Sequence, residues 1–106
     1  MSETEMPNVR FVVFHTPGPA WQAGVDFREQ PGVREHVMHY RQLLEQGKLE
    51  IGGPFLIEDA GGMMVTMVGV ARDEIEAFAA ADPAVQSGLL EFQVRPWYTP
   101  MGRANP

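Results

Sequence analysis

The 106 residues include no cysteine, which rules out disulfides, thiolate metal ligands and cysteine nucleophiles together. Basic residues are scarce as well. Eight Lys and Arg stand against 14 Asp and Glu, a formal charge of −6, and no basic cluster interrupts the acidic surface. Such a surface repels phosphate backbones and anionic headgroups, so neither nucleic acid nor a membrane is expected as a partner. No apolar run approaches the roughly 20 residues that span a bilayer. The polar, acidic start from Met1 to Asn8 lacks the basic-then-apolar order of a secretory signal, so the expected compartment is the cytoplasm. There is no Gly-x-Gly-x-x-Gly run, phosphate loop or Gly-x-Ser-x-Gly elbow, and neither a cofactor nor a metal is expected.

The chain reads as one domain over 1–106, with a core at about 9–97 and an irregular tail from 98 to 106. Val9 to His15 is short, β-branched and aromatic, and apolar on both alternating faces, as in a strand covered on two sides. Thr16 to Pro31 then shows no period. A connection of that length is more often a functional loop than a plain link, with Trp21 and Phe27 as its anchors. From Val33, apolar residues recur at Val37, Tyr40, Leu43 and Leu44 beside His36, a helical stripe backed by Arg34, Glu35, Arg41, Gln42 and Glu45 on the polar side. The spacing predicts a helix over about 32–46, started by Pro31 and stopped by Gly47. Leu49–Ile57 and Gly62–Val70 read as two strands of a hairpin joined by Glu58–Gly61. Asp73 and Glu76 resemble a capping box for a second helix at about 73–81. One more turn is expected over Ala84–Gly88, before a last strand, Leu89–Trp97, that alternates apolar Leu90, Phe92 and Val94 with polar Glu91, Gln93 and Arg95.

The order β-α-β-β-α-β is the ferredoxin-like arrangement, an α+β fold with a four-stranded antiparallel sheet and both helices on one face. Right-handed crossovers give the strand order 4-1-3-2. One end of the sheet then gathers His15, the long loop, the start of the first helix at His36, Pro54-Phe55 and Asp82. The helices cover a single sheet face while the strands are apolar on both, so a homodimer packed sheet on sheet is expected, with a polar cleft between its subunits.

Taken in order, His36, the Gly47-Lys48-Leu49 helix exit, Gly53-Pro54, Asp82-Pro83 and the closing Val94-Arg95-Pro96-Trp97 resemble the YciI-like family, or YCII-related domain. The resemblance implies a dimeric α/β barrel and a histidine–aspartate pair, here His36 and Asp82, lining a cleft. Some members act on chlorinated or lactone products of aromatic breakdown. The long loop and Val33, which stands where many members carry arginine, depart from the family pattern.

Each candidate has a plain reading beside the chemical one. An imidazole titrates near neutrality and a carboxylate can orient it, so His36 and Asp82 are candidate catalytic residues. Equally, His36 suits the core edge, and an aspartate before proline is an ordinary helix N-cap. His15, Trp21, Pro54, Phe55 and Arg95 are candidate substrate contacts. His39, one turn beyond His36, is the residue that would join it in a metal site. Met38, Met63, Met64 and Met67 read as core filler. The expected function is a cofactor-independent lyase or isomerase acting on a small, cyclic or aromatic-derived molecule. The alternative is a non-catalytic small-ligand binder or dimerisation module with the same cleft.

Overall fold

Alternation of apolar residues and punctuation by glycine and proline translate directly into the elements seen. The computed structural model describes residues 6–103, so the last three tail residues lie outside the described part. In chain order it forms β1 (Val9–Pro17), a 3-10 turn (Phe27–Glu29), α1 (Val33–Glu45), β2 (Leu49–Pro54), β3 (Gly62–Thr66), α2 (Arg72–Ala80), α3 (Pro83–Gln86) and β4 (Leu90–Tyr98). The four strands form one sheet in the order β2-β3-β1-β4, every pair antiparallel. This is the expected α+β, ferredoxin-like topology. Among the described residues no helix is long and apolar enough to cross a membrane.

Helix α1 ends as its sequence dictates. Gly47 takes φ +74° and donates to Leu44 O at 3.0 Å while Lys48 N reaches Leu43 O at 3.0 Å, a Schellman cap in which only glycine sits without strain. At the other end the first helical residue is Val33 and the cap is Gly32 at φ +99°.

Other boundaries differ from expectation for physical reasons. The capping box at Asp73 and Glu76 does not form. Helix α2 starts one residue earlier, with Ala71 as a cap lacking a side-chain bond, and Asp73 and Glu74 meet the positive end of its dipole from within the first turn. Glu76 pairs instead with Arg72 at 3.4 Å, one turn away. Strand β2 stops at Pro54, three residues short, and β3 stops at Thr66, four short. Beyond Pro54 the chain turns through Asp59 at φ +56° and Gly61 at φ +74°, which leaves Leu56 91% exposed. The stretch after Thr66 turns at Gly69, φ +100°, towards α2.

The core lies between the sheet and the helices. Phe11 and Val13 of β1 meet Tyr40 and Leu43 of α1 and Ile75 and Ala79 of α2, and each such buried large side chain contributes about 1.5–3 kcal/mol. A smaller cluster joins Ala84, Leu89 and Leu90, with Trp21 of the long loop packed against it. Strand register turns alternate residues outward, so Val12 and Phe14 pair with Val65 and Met63 on the face away from the helices. No helix covers that face among the described residues, and Ile51 is 67% and Trp97 47% exposed.

The long loop is held by polar bonds. The Trp21 indole donates to Asp59 Oδ1 at 2.6 Å, tying the loop to the β2–β3 turn. Gln30, almost fully buried, accepts from Gln22 N and donates to the carbonyls of Gln22 and Val25 at 2.7 and 2.9 Å.

Candidate active site

Helix α1 carries His36 at the end of its first turn on the face turned to the sheet, and α3 begins at Pro83, capped by Asp82, directly beside it. Proline at the first helical position makes Asp82 the cap of α3, with Oδ1 accepting from Ala84 N at 2.9 Å. The second carboxylate oxygen is then free to point at α1. Oδ2 lies 2.5 Å from Nδ1 of His36, within hydrogen-bond reach and at the short limit for a bond to a carboxylate. Cap and orienting partner are therefore one residue. With Nδ1–H donating to the carboxylate, Nε2 is the ring nitrogen left for the cavity that His36 lines.

His15, at the end of β1, completes the cluster. Its ring meets that of His36 edge to face, centroids 4.8 Å apart, and its Nε2 lies 3.2 Å from the Tyr40 hydroxyl and 3.8 Å from Asp82 Oδ2. Burial, and then the Asp82 charge, push the Tyr40 phenol well above its usual range, so it stays protonated. We assign its proton to a bond donated to His15 Nε2, which leaves the His15 proton on Nδ1. That nitrogen is buried and has no hydrogen-bond partner among the described residues.

Electrostatics follow from the burial. His15, 2% exposed, is lowered to about 4, first by burial and then by the neighbouring His36, against a smaller opposing pull from Asp82. Burial by itself would raise Asp82, but the hydrogen bond and charge of His36, with the Ala84 amide, hold it below the ordinary carboxylate value.

Both shifts make the fold acid-sensitive. A histidine with a folded pKa near 4 and an unfolded one of 6.5 binds its proton only in the unfolded chain between those values, so stability rises with pH across that window. The full excursion corresponds to about 3 kcal/mol. Asp82, depressed when folded, contributes stability that is present above its unfolded value and lost as pH falls through the folded one. Urea denaturation at pH 7, 5.5 and 4 is expected to show this decline, and His15→Gln, which cannot titrate, is expected to flatten the part above pH 4. An unchanged slope in that variant would remove His15 as the source.

A cavity of about 300 Å³ opens beside the cluster between α1, the β2–β3 hairpin and the long loop. His15 and His36 line it, with Trp21, Phe27 and Pro54, while Asp82, fully buried, stands behind His36. Of the other sequence candidates, Phe55 lines an adjoining cavity, which shares Trp21, Phe27 and Gly61 with the first. Arg95 is not brought to the cluster. Its guanidinium lies 4.9 Å over the Phe14 ring on the outer sheet face and bonds to Gln93, because period-two alternation sends it opposite to Phe92 and Val94. His39 is also turned away, since its Nε2 donates to Phe78 O at 2.7 Å and its ring stacks on Phe78. It ties α1 to α2.

Tyr40 and Arg41 are the site residues that sequence reasoning missed. Arg41 reads as solvent-facing, yet Val33, Val37, Arg41 and Leu44 all line the cavity, and their spacing of four, four and three is one edge of the helical stripe. That row was there to be seen. A metal ion has a candidate ligand set in His15, His36 and Asp82, whose ligand atoms lie within 4.8 Å of one another. As placed, however, His36 Nδ1 and Asp82 Oδ2 are 2.5 Å apart, whereas two ligands of one tetrahedral ion stand roughly 3.3 Å apart. The pair is spaced as a hydrogen bond.

A model of the YCII-related domain matches residues 9–98. The chain belongs to the YCII-related domain family. Seven chains of solved structures match, among them 5-chloro-2-hydroxyhydroquinone dehydrochlorinase from Burkholderia phenoliruptrix AC1100 in complex with 2,5-dihydroxybenzoquinone. That match has a TM-score of 0.64 and 21% identity, and covers 92% of this chain and 99% of the other. At such identity the likeness carries the fold. No curated protein matches.

Proposed function

We propose that this YCII-related domain is a small-molecule enzyme, a lyase or isomerase in which His36 moves the proton and Asp82 holds the imidazole in position. The observation that carries the reading is the 2.5 Å bond from His36 Nδ1 to a fully buried carboxylate, behind a ring that borders an apolar cavity. A positioned base of this kind removes a proton and then delivers it, to the departing group in an elimination or to another substrate atom in an isomerisation. His15, Trp21 and Pro54 contact the substrate, and Phe55 shapes the adjoining entry. One solved structure of this fold is a dehydrochlorinase holding a dihydroxybenzoquinone, which supports a cyclic, oxygenated ring as substrate. A screen of such compounds for turnover by the purified protein tests the proposal. Saturable binding with no turnover of any compound would make the cavity a binding pocket only.

The working unit we propose is a homodimer closed through the outer sheet face. Support comes from Ile51 and Trp97 on that face, with Arg95 laid across Phe14. Light scattering at micromolar concentration is expected to give twice the chain mass of 11.8 kDa, and Ile51→Glu, a charge set into the packed face, is expected to shift the protein to monomer. A wild type of single-chain mass would end the proposal.

A further inference from the structure

The cavity differs in charge from the rest of the molecule. The chain carries an excess of six negative charges, yet no Asp or Glu lines the cavity and Arg41 is its one lining residue with a permanent charge. Arg41 is exposed on α1, and among the described residues it makes no ion pair. Glu45, one turn further along, leaves it free, whereas Arg10, Arg28 and Lys48 elsewhere each meet a carboxylate.

A second observation bears on the same space from the opposite wall. His15 lines the cavity and has a buried Nδ1 with no partner among the described residues, and a buried polar atom without a partner is destabilising unless something else supplies one. With Tyr40 bonded to Nε2, this Nδ1 is a donor. The guanidinium offers donors only. Apart from the His36 Nε2 lone pair, the polar groups around an otherwise apolar cavity thus offer hydrogen-bond donors and one positive charge, which is complementary to a ligand with oxygen acceptors and one negative charge.

We propose that Arg41 is a specificity residue that pairs with a carboxylate of the substrate, so that the substrate class is the monocyclic carboxylic acid with a ring oxygen facing His15. Arg41 lies five residues from His36, about 7.5 Å of helix rise, so a carboxylate held at Arg41 leaves the far side of a six-membered ring near the imidazole. An apolar wall from Val37, Leu44 and Met64 receives the ring faces. The planar fork of arginine suits a carboxylate in two parallel bonds, a geometry that lysine would not reproduce.

The proposal rests on the cavity being the ligand site, as in the reading above, and is independent of whether catalysis occurs there. The test compares benzoate with the neutral isostere benzamide, titrated into the protein at pH 7 while backbone amide resonances of α1 and the β2–β3 hairpin are followed by NMR. Benzoate is expected to bind at least about tenfold more tightly, with Val37 and Leu44 among the shifted amides. Arg41→Gln, an exposed position where folding is preserved, is expected to abolish that preference and leave benzamide unchanged. Equal affinity for the two probes, no binding of either, or a benzoate preference that survives Arg41→Gln would overturn the proposal. Carboxylate preference without turnover of any ring acid would instead uphold it and fail only the enzyme reading.

Discussion

His36→Ala is expected to lower turnover by about 10²–10⁴, the range a positioned general acid or base supplies. The substitution removes the one ring that borders the cavity while its Nδ1 is held from behind by a carboxylate at 2.5 Å. It also strands that carboxylate. Asp82, fully buried, would keep only the Ala84 amide as a partner, and an unpaired buried charge of this kind destabilises by several kcal/mol. A loss of activity in the alanine variant could therefore come from a loosened fold. His36→Asn separates the two effects, because its amide nitrogen falls near the position of Nδ1 and still donates to Asp82 but cannot carry a proton between substrate atoms. Melting close to wild type with turnover down by the same factor assigns the loss to chemistry. Turnover within a few-fold of wild type in His36→Asn would remove His36 as the acid/base group.

The parts of this arrangement that were legible in the sequence are those set by local rules. A stripe of period 3.6 from Val33 to Leu44 and a glycine at position 47 define α1 without reference to anything distant. The handedness of crossover connections then fixes the strand order, and with it the end of the sheet where His36 and Asp82 meet. What could not be read depends on contacts far apart in the chain or on the exact residue where a strand ends. The Trp21–Asp59 clasp joins residues 38 apart, and nothing local to either marks the other. Phe55 falls one residue past the last ladder pair, Pro54 with Gly62, and at that step the chain turns towards the adjoining cavity. Tyr40 reads as core and is core, with a hydroxyl whose partner on β1 is 25 residues away. Arg95 is different, because the alternation of β4 puts it on the outer sheet face, where a polar cleft between subunits is expected from the sequence, whereas the cavity that holds His36 lies on the helix side of the sheet.

Asp82→Asn tests the orienting role while sparing the structure. The asparagine side chain has the same shape, and its carbonyl oxygen can still accept from Ala84 N, so α3 keeps its cap, worth about 1 kcal/mol. With that oxygen committed, the amide nitrogen takes the place of Oδ2 and presents hydrogens to His36 Nδ1. Two donors cannot face each other, so Nδ1 must become the acceptor and the ring proton moves to Nε2, the nitrogen at the cavity. A neutral imidazole in that tautomer cannot take a proton from substrate, and an imidazolium formed there has lost its counter-charge. The analogous change in a serine-protease triad lowers kcat by about 10⁴ with the geometry intact, and a loss of that order is expected here with a near-native melting temperature. Nitrogen-15 chemical shifts of His36 report the tautomer directly: wild type is expected to carry the proton on Nδ1 and the variant on Nε2. Asp82→Ala makes the contrast, since it removes cap and partner together and is expected to destabilise by about 2–4 kcal/mol as well as to inactivate. If Asp82→Asn turns over substrate within a few-fold of wild type, the 2.5 Å bond serves only to pin α1 against α3, and Asp82 is a helix cap with no part in the chemistry.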